Sequence, residues 1–355
     1  MNMPVRIDTA LPTITVSDGI SDADCAAFLA ATPGSTPFHS AAWGRAVESA
    51  TGHRWHLLVA CDASGAILGI LPLHHIRSAL FGSALVSTGF AVNGGILSTS
   101  AAATEALATA AIDLAKDLGL GSVDLRGGEH PAGWSVDSST YTGFSRQLAP
   151  SRDDELAAIP RKHRAEVRKA LANDLTVTIG QGRANRDAHF HAYATSVRNL
   201  GTPVFPRRLF DCVIAGFGDK ADILTIRHNG EPLASVLSLY WQGSVMPYWG
   251  GGTTAARSLR ANERMYFELM DHARARGMTH FDFGRSKAGT GPAAYKKNWG
   301  FEPAPLAYAR WTADGTAPRD TNPTSARYKL MVEGWQRLPL WMANRLGPLI
   351  SRQLG

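Results

Sequence analysis

Four cations stand among glycines and aromatics in FDFGRSKAGTGPAAYKKNWGFEP, residues 281–303: Arg285, Lys287, Lys296 and Lys297. The stretch opens on a strand-like apolar run, Phe281-Asp282-Phe283, and passes straight into glycine. In open α/β sheets ligands collect at the carboxyl ends of strands, so Arg285 and Lys287 are expected to face such a crevice. Gly284 and the Gly289-Thr290-Gly291 run allow close approach of backbone to a ligand. Cations in that position suit the binding of phosphate or another anion. Asp282 is the candidate proton acceptor, although its place within a strand equally fits a structural role. The plain alternative for the whole stretch is a solvated basic hairpin.

Three further groups carry the same chemistry. Tyr248-Trp249-Gly250-Gly251-Gly252-Thr253 is expected to end a strand and open a helix, with Tyr248, Gly250, Gly251 and Thr253 at an anion site. A bulge or bend in the sheet would also account for these glycines. Arg161, Arg164 and Arg168 recur at helical spacing on one face, either as a phosphate grip or as a solvated charge run. Arg198 closes a helix, where it either meets an anion or complements the helix dipole. Histidines are scattered, and the pair His189 and His191 diverges on a helix, so no metal site is expected. Cys25, Cys61 and Cys212 lie far apart with no CxxC, which excludes a disulfide framework or a zinc site as an expectation.

The elements that must position these residues occur twice. AIDLAKDLGLGSVDLRG (111–127) and LMDHARARGMTHFDFGR (269–285) match without a gap at Asp113/Asp271, Ala115/Ala273, Gly119/Gly277 and Asp124/Asp282. Each copy reads as a helix closed by glycine, then a short strand, then glycine with arginine. Upstream, FHSAAWGRAVESATG (38–52) and VFPRRLFDCVIAGFG (204–218) space their aromatics alike. A hairpin signal follows each, at Asp62-Ala63-Ser64-Gly65 and at His228-Asn229-Gly230-Glu231. Each half thus reads helix, hairpin, strand, helix, strand, an α/β arrangement of mixed sheet and covering helices. The expected organisation is one module over 1–150, a second over 151–320, and a basic amphipathic tail over 321–355.

These motifs resemble the FemAB-like non-ribosomal peptidyltransferases, a family built from two N-acetyltransferase-like (GNAT) domains. The resemblance rests on IPRKHRAEVRKA, on YATSVRNLGTPVFPRRLF, on PYWGGGTTAARSLRANERMYFELMDHARARGMTHFDFGR and on YKKNWGF, and covers roughly residues 35–305. VRNLGTPVF, FDFGRSKAGTG, KKNWGFEP and NRLGPLISRQLG are similar to a subgroup associated with exosortase/PEP-CTERM and exopolysaccharide loci. The resemblance implies transfer of an aminoacyl or other acyl group to an amine on a cell-envelope or exopolysaccharide precursor. It also implies that Lys296 stabilises the charge on the transferred carbonyl, with Lys297 as the nearest substitute. An acyl-CoA-binding GNAT domain carries R/Q-x-x-G-x-G/A before its main helix. The corresponding Arg257-Ser258-Leu259-Arg260-Ala261-Asn262 has no glycine, so aminoacyl-tRNA is the expected donor in preference to acyl-CoA.

Bulk properties agree with an anionic partner: the formal charge is +6 and the pI about 9.3. A nucleic-acid-binding module and a catalytically idle scaffold in polysaccharide assembly are the competing readings. The first residues, MNMPVRIDTALPTITVSDG, show no apolar signal core, so a cytoplasmic location is expected. The tail mixes Trp335, Trp341 and leucines with arginines, which fits either packing against the second module or contact with an anionic membrane face.

Overall fold

The computed structural model describes residues 14–17, 19–79, 81–315, 326–353 and 355, with backbone alone over 326–331. The first residues and the start of the expected tail, 321–325, lie outside these. In the first half run β1 (Thr15–Ser17), α1 (Asp22–Ala31), α2 (Ala41–Thr51), β2 (Trp55–Cys61), β3 (Ile67–Ile76), β4 (Ala84–Ser87), β5 (Leu97–Ser98), α3 (Ala101–Asp117), β6 (Ser122–Arg126) and β7 (Ser135–Gln147). The second half holds α4 (Arg152–Ala158), α5 (Arg161–Ala172), β8 (Thr176–Gly180), α6 (Arg183–Asn199), α7 (Arg207–Phe217), β9 (Ala221–His228), β10 (Glu231–Trp241), β11 (Ser244–Gly252), α8 (Ala261–Ala275), β12 (His280–Lys287), α9 (Gly291–Asn298) and β13 (Pro303–Thr312). Helices α10 (Ala326–Arg337) and α11 (Leu340–Ser351) close the chain.

The local signals form as read. Asn229 at φ 50° and Gly230 at φ 84° make the turn between β9 and β10, and Gly65 at φ 86° serves the turn between β2 and β3. Ser40 and Ser100 cap α2 and α3 by accepting from Trp43 N and Ala103 N. The paired glycines Gly119 and Gly277 adopt φ 68° and 77° just beyond α3 and α8, where a side chain would be strained.

Within the described residues the strands form one 13-stranded sheet, in the order β1-β2-β3-β4-β6-β13-β7-β12-β11-β10-β9-β8, with β5 beside β3. Each half contributes the same series: β1-β2-β3-β4-β6 and β8-β9-β10-β11-β12. In each, a helix crosses over to make a parallel pair, β4 with β6 through α3 and β11 with β12 through α8. The last strands are exchanged. β7 leaves the first half to pair with β12, and β13 returns from the second to pair with β6. The two meet at the centre as an antiparallel pair. The division of the chain near residue 150 is therefore not a division of the sheet.

A second joint lies on one face. Trp43 of α2 is fully buried, stacks at 5.7 Å on Trp249 of β11 and meets Phe38 edge-on at 4.8 Å. Its indole N–H donates to Gly89 O at 3.1 Å. This cluster also takes in Leu209, Phe210 and Val213 of α7, so α2 and α7 pack their apolar faces together across the molecule.

Candidate active site

The site begins with a break in the central ladder. β12 pairs with β11 only at Ser244/His280 and Val245/Phe281, then diverges from it. Against β7 its register shifts between Asp282 and Arg285, a bulge in which Gly284 takes φ 68°. The bulge frees backbone groups that need partners. Asp282 Oδ1 accepts from Gly284 N at 2.9 Å, and Lys296 Nζ donates to Gly284 O at 3.1 Å and Arg285 O at 2.9 Å. α9, which follows its N-cap Thr290 and has Pro292 in its first turn, carries Lys296 to this point.

The Lys296 ammonium lies 5.4 Å from the ring centres of both Phe144 and Phe283. Burial among these rings lowers its pKa to about 8, with Asp282 opposing the fall and Arg285 adding to it. Burial raises the Asp282 carboxyl, against the Gly284 N–H and Lys296. At neutral pH Lys296 is thus still mostly charged. An ammonium has three protons, and two are engaged by carbonyls, which leaves one for an incoming oxygen.

Two guanidiniums from different halves stand beside this point. Arg285 donates to Tyr308 Oη at 2.7 Å and lies 4.5 Å over the Tyr141 ring. Arg126, at the end of β6, donates to Thr88 O at 3.1 Å, to Ala91 O at 2.9 Å and to the terminal oxygen of Gly355 at 2.5 Å. Burial, then the charge of Arg285, lowers the Arg126 pKa to about 10. Among the described residues Arg285 pairs with no carboxylate, whereas Arg126 meets the terminal oxygen of Gly355. A half-buried cation without a counterion, as at Arg285, favours a nearby anion. The wall is shared as well: Tyr248 Oη donates to Phe90 O at 2.6 Å and Tyr308 Oη to Val92 O at 2.8 Å.

The structure brings Asp282, Arg285, Lys296 and Tyr248 into one region and separates the rest. Lys287 ends β12 half-buried, and Lys297 points outward from α9. The expectation that Gly250, Gly251 and Thr253 form an exposed helix N-terminus is not met. Gly250 to Gly252 lie inside β11, and α8 starts only at Ala261. A Cβ on Gly251 would stand 2.5 Å from Ser196 Cβ of α6, and one on Gly252 2.7 Å from Asn262 Oδ1 of α8. These glycines admit the covering helices to the sheet. Thr253 Oγ1 is buried without a partner beside the single 3-10 turn that follows.

Arg198 donates to Gln336 O at 3.2 Å, so it binds the end of α10 rather than a phosphate. Arg164 is turned back onto Ile159 O at 3.0 Å, while Arg161 and Arg168 remain exposed. α5 packs on α9 through His163, whose ring lies 4.7 Å from Trp299. Arg161, Arg168 and Lys297 are exposed on these two helices.

Sequence reading missed Arg126, Tyr141 and Tyr308. The arginine after each repeated strand was a visible signal, but the exchange that brings Tyr141 and Tyr308 together was not. No counterpart of α9 occurs in the first half, where residues 127–134 join β6 to β7 without a helix. The duplicated fold thus holds one lysine of this kind. No cluster of three or more metal-ligating side chains occurs among the described residues.

The start of α8 differs from a phosphate cradle. Glu263 stands in its first turn, and burial raises its pKa. Tyr266 spans the divergence of β11 and β12: its ring is 4.6 Å from Phe283, and its hydroxyl would lie 3.2 Å from a Cβ on Gly250.

The fold and this arrangement define a tandem GNAT-like architecture. Residues 160–297, from the start of α5 to the lysines of α9, match the family model described as an acetyltransferase (GNAT) domain. The chain is similar in fold to the crystal structure of FemX, at 14% identity over 83% of this chain and 96% of that one, TM-score 0.67. It is similar to the C-terminal domain of a putative lysylphosphatidylglycerol synthetase from Agrobacterium fabrum, at 12% identity over 76% and 87%, TM-score 0.54. A tandem GNAT protein from the clavulanic acid biosynthesis pathway matches at 12% identity over 86% and 100%, TM-score 0.53. No curated protein sequence matches the chain.

Proposed function

We propose that this protein is an acyltransferase that moves an aminoacyl group from tRNA to an amine of an envelope or exopolysaccharide precursor. The observation that carries the reading is Lys296, fixed by two carbonyls of a strand bulge with one proton unused, beside Arg285, which has no carboxylate partner among the described residues. In the step, the amine nitrogen attacks the acyl carbonyl and the C–N bond forms. The C–O bond to the tRNA ribose breaks, and that oxygen leaves with a proton while the amine loses one. Lys296 stabilises the oxyanion between these events. Asp282, its carboxyl raised by burial, takes the amine proton in this reading. Arg126 and Arg285 hold an anionic group of the acceptor, such as a diphosphate or carboxylate.

Two features favour tRNA over acyl-CoA as donor. Glu263 places a carboxylate at the start of α8, and Tyr266 blocks the gap that a pantetheine arm would follow. The exposed Arg161, Arg168 and Lys297 suit a nucleic-acid backbone. The resemblance to proteins of exopolysaccharide loci makes a polysaccharide precursor the preferred acceptor.

The test is transfer of a labelled aminoacyl group from charged tRNA, run beside labelled acetyl-CoA, with and without extracts of envelope precursor. Label from charged tRNA entering a lipid or glycan fraction is the expected result. Incorporation from acetyl-CoA alone would replace the donor assignment. Salt-sensitive tRNA binding with no transfer from either donor would favour a nucleic-acid-binding module instead.

A further inference from the structure

We propose that α11 docks this protein onto an anionic lipid surface. The helix is held in one rotation. Its small residues Ala343, Gly347 and Ser351 are buried, four apart, against α6 and the chain at Val204. A Cβ on Gly347 would lie 2.9 Å from Val204 N, and Ser351 Oγ donates to Val204 O at 2.8 Å. That contact leaves the opposite side outward. Trp341 is 69% exposed, Leu349 52% and Leu346 40%, in a chain whose other large apolar side chains are mostly covered.

The charges around these residues select the occupant. Arg345 and Arg352 fall on the same outward side, and Arg337 ends the preceding helix, all exposed. From residue 326 to 355 the cations are Arg327, Lys329, Arg337, Arg345 and Arg352, against the single acid Glu333. Leucine and tryptophan interleaved with arginine is the pattern of a helix lying in the headgroup layer. Tryptophan takes the boundary between water and acyl chains, and arginine meets lipid phosphate. A second copy of the chain is a poorer occupant, because it would set Arg345 and Arg352 against themselves. The helix lies in the interface and does not cross it: no helix among the described residues is long and apolar enough to span a membrane.

The same segment reaches the cleft. His53 Nε2 lies 2.6 Å from Arg352 O, and Arg126 donates to Gly355 O. Docking through α11 therefore holds the cleft between the halves next to the bilayer. If the acyl-acceptor reading is right, this favours an acceptor carried on a lipid, but the docking itself does not depend on that reading.

The experiment is co-sedimentation of the full chain with vesicles of phosphatidylglycerol in phosphatidylcholine and with phosphatidylcholine alone. Binding is expected on the anionic vesicles, at least about tenfold above the neutral ones, and falling with added salt. Replacing Trp341→Ala, Leu346→Ala and Leu349→Ala together should weaken it at least about tenfold. Arg345→Gln and Arg352→Gln should each weaken it about fivefold. All five side chains are exposed, and an unchanged thermal melt shows that the fold survives. The Lys296→Met protein should bind vesicles as the parent does, which separates docking from acyl transfer. Equal partition onto both vesicle types, or binding untouched by either set of replacements, would overturn the proposal. So would a dimer in solution that the triple replacement dissolves.

Discussion

Lys296 has two roles that pH separates. It satisfies the carbonyls of the β12 bulge, and it presents a charge next to Asp282. Burial holds its pKa at about 8, below the ordinary lysine value of 10.5. A reaction that needs the ammonium should therefore lose rate as pH rises through about 8. Stability moves the other way at this group. A depressed folded pKa means that protonation favours the unfolded chain, so the contribution is lost as pH falls through about 8 and present in full above the unfolded value. Lys296→Met, which keeps the stem among Phe144 and Phe283, should lower kcat by about 10²–10³-fold. Initial rates from pH 6 to pH 9.5 would check both points. An unchanged kcat in that variant removes Lys296 from the chemistry. The lysine was legible because it follows an aromatic in a glycine-rich basic stretch; Arg126 was not, because its neighbours come from a distant part of the chain.

Between elements, buried histidines act as neutral fasteners. His74 Nε2 lies 3.1 Å from Gly44 O of α2, and its Nδ1 accepts from Gly89 N at 3.1 Å. His39 Nε2 lies 3.1 Å from Gly95 O. Burial lowers their pKa values to about 3 and about 4, and that of His189 to about 3. The sign follows from depressed folded values: the stabilisation is complete above the unfolded pKa of about 6.5 and is lost as pH falls below it. Each such histidine should remove about 1.4 kcal/mol per pH unit below that point. Urea unfolding at pH 7 and pH 5 measures the drop, and His74→Asn should flatten it by one histidine's share. At this scale a large truncation is costly too. Trp43→Ala should destabilise by about 3–5 kcal/mol, read from the same urea curves. Caps and hairpins were legible because a few adjacent residues decide them. The glycines of β11 were misread because what they fit, α6 and α8, is brought there by the tertiary fold.

At the scale of the molecule, the exchanged strands make the two halves one cooperative body. Removing 151–355 would strip β13 from β6, and removing 1–150 would strip β7 from β12. The whole chain should unfold in a single calorimetric transition, and neither half expressed alone should give a dispersed amide spectrum. Two resolved transitions would contradict this. The repeat was legible in matched residues at a constant offset. The exchange was not, because β7 and β13 each have a pattern that fits the edge of either half.

That exchange also orders events during synthesis. The edge of β6 stays open until β13 emerges, roughly 180 residues later. At ~5–20 residues per second this is an interval on the order of ten to forty seconds. A nascent chain halted before Pro303 would carry a bare strand edge, the feature that recruits other strands. Chaperone occupancy on the ribosome should rise once β6 has cleared the exit tunnel and drop only after β13 follows.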